Sequence, residues 1–178
     1  MSPIIIRKAT ISDLEIIREI SKQTFIETFA DVNTPENMEN YVRENFNSVQ
    51  VASEINNPES DFYLATLDKE TIGYLKLNFG NAQTEIFNKQ AIEIHRIYVL
   101  KAFLGKKIGQ ILLDEAIKIA HISGVDYLWL GVWEENQRAL QFYSKNGFVE
   151  FDKHFFTLGN DIQTDLLMRL EINKKLKK

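Results

Sequence analysis

Between Glu93 and Ala120 a β-rich run gives way to a short loop holding two glycines and three lysines, and then to a helical pattern. The loop reads Lys101-Ala102-Phe103-Leu104-Gly105-Lys106-Lys107-Ile108-Gly109-Gln110. The first turn of a helix presents backbone N–H groups that have no partner inside the helix. These groups also carry the positive end of the helix dipole. A diphosphate fits there without help from any side chain. Gly105 and Gly109 let the backbone approach closely, and Lys106 and Lys107 add positive charge. The same spacing has a second reading, in which one glycine belongs to the loop and the other makes room for packing. No Gly-x-x-x-x-Gly-Lys-Ser/Thr pattern occurs, so this is not a P-loop.

The strand before the loop carries its own chemistry. Glu93 stands among Ile92, Ile94 and Ile97. Alternation along a strand puts Glu93, His95, Ile97 and Val99 on one face. A carboxylate in such company is partly desolvated, which favours proton uptake. The alternative is a rim glutamate paired with Arg96 or a lysine. His95 is a rival base on the same strand.

These residues need elements to hold them. Pro3–Ala9 is β-rich and reads as the first strand. Ser12-Asp13-Leu14-Glu15 has the form of a capping box with Ser12 as N-cap. Leu14, Ile17, Ile20, Ser21, Thr24, Phe25 and Thr28 then recur at helical spacing. Thr34-Pro35-Glu36 starts a second helix that runs to about Asn45. A short third helix is expected near Val49–Asn56. Phe62–Leu67, Asp68-Lys69-Glu70 and Thr71–Asn78 read as strand, turn and strand. Ala82–Gln90 reads as a polar loop, and Ile92–Leu100 as a further strand. Ile108, Ile111, Leu112, Ala116 and Ile119 form one face of a helix. Val125–Val132 is a buried strand, Asn136 caps a helix carrying Ala139, Leu140 and Tyr143, and Phe148–Phe155 with Gln163–Glu171 closes the chain as a hairpin. This order predicts an α/β (α+β) fold, with a mixed, mostly antiparallel central sheet of about seven strands and helices on both faces.

The 178 residues fit one domain, 1–172, followed by a basic tail, 173–178. No apolar run approaches the length of a membrane span, and the start of the chain has no signal-peptide pattern, so the expected location is cytoplasmic with no membrane partner. There is no cysteine, which excludes disulfides, thiolate metal sites and a catalytic thiol. No metal is expected. The net charge of −4 argues against nucleic acid as a partner. Setting aside the four tail lysines leaves 17 basic residues against 25 acidic ones. A body of that charge suits a small cationic partner; simple solubility would also account for it.

A second motif lies downstream. Asn136-Gln137-Arg138-Ala139-Leu140-Gln141-Phe142-Tyr143-Ser144-Lys145-Asn146-Gly147-Phe148 follows the buried strand. With the loop, it resembles the GCN5-related N-acetyltransferase (GNAT) superfamily, which pairs a strand–pyrophosphate loop–helix with an Asn-x-x-Ala-x-x-Phe-Tyr-x-x-x-Gly-Phe element. Asn136, Ala139, Phe142, Tyr143, Gly147 and Phe148 match every fixed position of that element. The family's loop usually reads Arg/Gln-x-x-Gly-x-Gly/Ala; here those positions are Leu104, Lys107 and Gly109, so two of the three differ. Further segments resemble, within this superfamily, the bacterial spermidine/spermine N-acetyltransferases of the Pai type. They are Ser-x-x-Thr-Phe-x-x-Thr-Phe at Ser21–Phe29, Pro35-Glu36-Asn37-Met38, Glu93–Val99, Trp129–Glu134 and Gln163-Thr164-Asp165-Leu166.

The resemblance implies direct transfer of an acetyl group from acetyl-CoA, as cosubstrate, to a primary amine. Such a reaction needs an unprotonated amine, donors for the oxyanion and a proton for the leaving thiolate. The resemblance implies Tyr143 as general acid and Glu93 as the group that deprotonates the amine. It implies contacts to the cosubstrate from Ile97, Tyr98, Val99, Leu104, Gly105, Lys106, Lys107, Ile108, Gly109, Gln110, Asn136, Tyr143 and Lys145. It places Glu27, Asp31, Glu36 and Glu93 beside the substrate, a polyamine such as spermidine or spermine in the closest reading. A homodimer is expected from the family. The competing readings are acetylation of another small or peptide amine, and a non-catalytic acyl-CoA-binding regulator. Nucleic-acid binding through the lysine tail is the weakest of the alternatives.

Overall fold

The computed structural model describes residues 3–85 and 87–172. The lysine tail lies outside them. Seven strands hydrogen-bond in the order β1-β2-β3-β4-β5-β7-β6. They are β1 (Ile5–Lys8), β2 (Ser60–Leu67), β3 (Glu70–Phe79), β4 (Ala91–Val99), β5 (Tyr127–Trp133), β6 (Val149–Leu158) and β7 (Asp161–Glu171). The helices are α1 (Leu14–Phe29), α2 (Pro35–Asn45), α3 (Ser48–Asn56), α4 (Ile108–Ser123) and α5 (Gln137–Lys145). β4 and β5 pair in parallel through Ala91–Glu93 and Tyr127–Trp129, while β1–β2, β5–β7 and β6–β7 are antiparallel. The mixed seven-stranded α/β sheet expected from the sequence is the fold of this chain.

Contacts group the residues into two compact units. The first is Met1–Leu77 with Arg96–Ala116. Its core joins Ile17 and Ile20 of α1, Val51 of α3, Phe62 and Leu64 of β2, Tyr74 of β3 and Leu100. α1 buries Ile17, Ile20, Ser21, Thr24 and Phe25, one stripe at helical spacing. Phe25 stacks on Tyr41 of α2 with centroids 4.2 Å apart, which fixes α2 against α1. Thr34 caps α2 and Pro35 opens it, as the sequence requires. Asp68 and Lys69 both take left-handed backbone, the geometry of a two-residue hairpin turn between β2 and β3.

The first cap sits two residues earlier than the sequence suggests. A 3-10 turn, Ile11–Asp13, precedes α1, and Thr10 is its N-cap, with Asp13 as the returning acid. Arg7 forks onto both Asp13 oxygens at 2.9 and 2.6 Å. That pairing holds the Asp13 carboxyl down at about 2. The extra partner explains why Asp13, rather than Glu15, closes the box.

A buried charge network also lies in this unit. Glu54 of α3 accepts from Lys76 of β3 at 2.9 Å and from Arg96 of β4 at 2.9 Å. Burial alone would push the Glu54 carboxyl up; Arg96 and Lys76 outweigh it and hold it below the usual range. Arg96 is therefore the partner of Glu54, not of Glu93.

The second unit is Asn78–His95 with Ile117–Lys178. Ala91, Tyr127, Trp129 and Leu167 form its core, with Phe151 packed against them. The loop after β3 is held by specific bonds: Trp129 donates its indole N–H to Gln83 Oε1 at 2.7 Å, and Asn88 donates to Asp126 Oδ2 at 2.9 Å. A bulge on β6 between Glu150 and Asp152 shifts its register against β7.

Candidate active site

In the first unit, the loop leaves β4 through a short 3-10 turn, Lys101–Phe103, and enters α4 at Ile108. Ile111 N–H bonds to Lys107 O at 3.1 Å, closing the first helical turn. The amides of Ile108 and Gly109 precede that bond and open the helix without intrahelical partners. Gly105 and Lys107 both take positive φ, +79° and +65°. The position where the family usually carries glycine is thus one where the backbone asks for it, and Lys107 adopts the same turn at a modest steric cost. Gly109 is more telling. A β-carbon placed there would meet, beyond its chain neighbours and its own helix backbone, no atom of the described residues within 4 Å, so packing does not explain the glycine. The loop fits a diphosphate: open amides at a helix N-terminus, an uncrowded glycine and two lysines.

Ile97, Tyr98 and Val99 are partly exposed on β4, and Tyr98 stacks on Tyr74 at 6.0 Å. Gly73 on β3 keeps that region close: a β-carbon there would come within 2.9 Å of Tyr98 O. Leu104 is exposed, and the Lys106 ammonium lies 4.8 Å from the centre of the Phe103 ring. Gln110 donates to Asp114 at 2.8 Å.

Of the acidic residues expected beside the substrate, Glu27 has a different task. One oxygen accepts from the Lys101 backbone N–H at 2.7 Å and the other from Gln23 at 3.0 Å. Its carboxylate anchors the start of the loop. Asp31 and Glu36 are solvent-exposed.

In the second unit, Glu93 is 3% exposed. It accepts from Asn78 Nδ2 at 3.1 Å, Thr84 N at 2.8 Å and Thr84 Oγ1 at 2.5 Å. Donors of this kind stabilise a buried negative charge and fix its orientation. Asn78 and Thr84 did not stand out in the sequence. Thr84 lies in a stretch that reads as plain polar loop, and Asn78 closes the strand expected over Thr71–Asn78.

The Asn136–Phe148 element is built as its spacing demands. Asn136 Oδ1 accepts from Ala139 N at 3.1 Å and caps α5. Gly147 takes φ +87° and Phe148, buried, donates its N–H to Tyr143 O at 3.1 Å, which ends the helix. Tyr143 is 7% exposed, with its ring against Phe142 and Phe148 at 5.2 and 5.6 Å. Its hydroxyl makes no hydrogen bond to another described residue. Burial pushes this phenol well above its ordinary value, so it keeps its proton at neutral pH. Asn136 and Tyr143 lie seven residues apart, two turns along α5, and Lys145 is exposed at its end.

Comparison with known proteins decides the family. The model of the Acetyltransferase (GNAT) family matches residues 15–148. The chain belongs to the GNAT acetyltransferase family. It is 39% identical over 157 residues to an uncharacterized N-acetyltransferase in the pepI 3′ region of Lactobacillus delbrueckii subsp. lactis, covering 88% of this chain and 91% of that one. It is 34% identical over 147 residues to a spermidine N(1)-acetyltransferase of Thermoplasma acidophilum, covering 80% and 86%. In structure it is similar to a PaiA N-acetyltransferase from Thermoplasma acidophilum in complex with coenzyme A, with TM-score 0.77, 30% identity and 95% of this chain against 99% of that one. This GNAT protein is an N-acetyltransferase, and its structural neighbours include members with CoA or acetyl-CoA bound. Among the described residues, no helix is long and apolar enough to cross a membrane.

Proposed function

We propose that this GNAT protein moves the acetyl group of acetyl-CoA directly to a primary amine of a polyamine such as spermidine or spermine. The observation that carries the transfer chemistry is Tyr143: a buried phenol whose hydroxyl has no hydrogen-bond partner among the described residues, held protonated by its surroundings. The polyamine reading is supported by the likeness to the spermidine N(1)-acetyltransferase of Thermoplasma acidophilum. It agrees with the acidic balance of residues outside the tail.

Acetyl-CoA supplies an acetyl group activated as a thioester. The amides at Gly105, Ile108 and Gly109 hold the diphosphate, with Lys106 and Lys107 adding charge. Ile97, Tyr98 and Val99 offer backbone groups to the pantetheine arm as an added strand would. The Asn136 side-chain N–H₂, left over once Oδ1 has capped α5, donates to that arm, and Lys145 contributes charge near it. Glu93 takes the proton of the incoming ammonium. The donors from Asn78 and Thr84 fix the orientation of its carboxylate. Tyr143 delivers its proton to the departing thiolate sulfur. Asp31 and Glu36 attract the polycation; Glu27 serves the loop instead.

Thiol release from acetyl-CoA, followed across a panel of amines with the product identified by mass, tests this reading. Release that depends on spermidine or spermine and yields the N-acetyl product is expected. Release only with other amines would remove the polyamine assignment. No amine-dependent release, with CoA still bound, would leave an acyl-CoA-binding regulator.

A further inference from the structure

The Gln163–Leu166 segment has no task in the chemistry above, and it holds the least explained acid of the second unit. Asp165 sits on β7 with Trp133 of β5 as its neighbour on one side and His154 of β6 on the other. It is partly buried and makes no hydrogen bond or ion pair to another described residue. Its neighbour across the strand, His154, has its Nδ1 against Glu85 Oε1 and is paired there. Gln163, two residues along β7, donates to Asp161 instead.

Beside Asp165 the sheet has a notch. Gly131 is the one exposed residue of β5, set between buried Leu130 and Val132. A β-carbon there would lie 3.5 Å from Asp165 Oδ2 and 3.4 Å from Leu167 Cδ2. The missing side chain leaves the Asp165 carboxylate reachable across the strand. A glycine at such a place often marks the close approach of a ligand.

A carboxylate that has lost part of its water without gaining a donor is costly. Burial pushes the Asp165 carboxyl up, and His154 only partly offsets this. A cation arriving over Gly131 would relieve that cost. Bulk is limited by Leu167 and Trp133, which suits an ammonium on a thin alkyl chain. We propose that Asp165 is a specificity-determining residue that receives a protonated nitrogen of the acceptor, one that is not being acetylated. The proposal rests on the polyamine reading and deepens it, by naming the group that tells a di- or polyamine from a monoamine.

The test compares Asp165→Asn and Asp165→Ser with the unchanged enzyme, using butane-1,4-diamine and butylamine as acceptors. The KM for the diamine should rise about ten- to hundredfold, as loss of a charge-assisted bond implies, while the KM for butylamine stays the same. Equal changes for both amines, or none for the diamine, would overturn the proposal. If the unchanged enzyme acetylates neither these amines nor spermidine nor spermine, the polyamine reading fails by itself. Calorimetric titration of spermine into the CoA-loaded protein then decides the role of Asp165. Tenfold weaker binding in the variants supports it; equal binding, or no binding to the unchanged protein, refutes it.

Discussion

At Asn136–Phe148 nearly every demanding residue answers to the protein itself, whereas at Leu104–Gly109 the most demanding one does not. Asn136 is there to cap, Gly147 to turn left-handed, and Phe148 to be buried. The Tyr143 hydroxyl and the Asn136 side-chain N–H₂ are left over. In the loop, Lys107 bends where glycine would bend more easily, yet Gly109 has ordinary backbone and free space around it. A motif match can therefore survive for reasons of folding and still deliver one reactive group. A departure from a motif can keep the turn that the motif encodes. The intact element says less about chemistry than its score suggests, and the altered loop says more.

Substitutions can break this contrast. The largest effect is expected at Gly147, where alanine would have to hold φ near +87° and would press on Leu170 Cδ1 at 3.3 Å. Urea unfolding should show a loss of about 1–2 kcal/mol. Asn136→Ala should cost about 1 kcal/mol through the lost cap. A loss of stability in the same assay, with no rise in the KM for acetyl-CoA in steady-state kinetics, would confine Asn136 to capping. Lys107→Gly should go the other way, with a gain of about 0.5–1 kcal/mol after the flexibility of glycine is set against the relieved turn. A loss would mean that the loop is not strained at Lys107. Gly109→Ala should move stability by less than about 0.5 kcal/mol, while weakening acetyl-CoA binding in a direct titration. Unchanged binding would show that no phosphate approaches that residue.

Much of the fold was legible because its signals are local. The Thr34–Pro35 start of α2, the stripe on α1 and the Asp68-Lys69 turn each follow from a few neighbouring residues. The first cap was misplaced because Thr10 and Ser12 are both competent caps. The choice rests on Arg7, which reaches Asp13 only once the chain has turned. In the same way, the partner of Arg96 is Glu54, 42 residues away. The family loop, Glu93 and Tyr143 could be singled out from their neighbours in sequence. The groups that set the state of Glu93 could not, since Asn78 and Thr84 meet it only across the folded strands. The bond of Glu27 was hidden for a related reason: an acidic residue on a helix looks free until the backbone that donates to it, here Lys101 N–H, is in place.

The central claim is that a buried, protonated Tyr143 serves the chemistry and not the fold alone. Steady-state acetylation of spermidine by Tyr143→Phe, with acetyl-CoA affinity measured alongside, tests it most directly. The account predicts a fall in kcat of about a hundredfold or more, with acetyl-CoA affinity and melting temperature nearly unchanged. Turnover equal to that of the unchanged enzyme would contradict it.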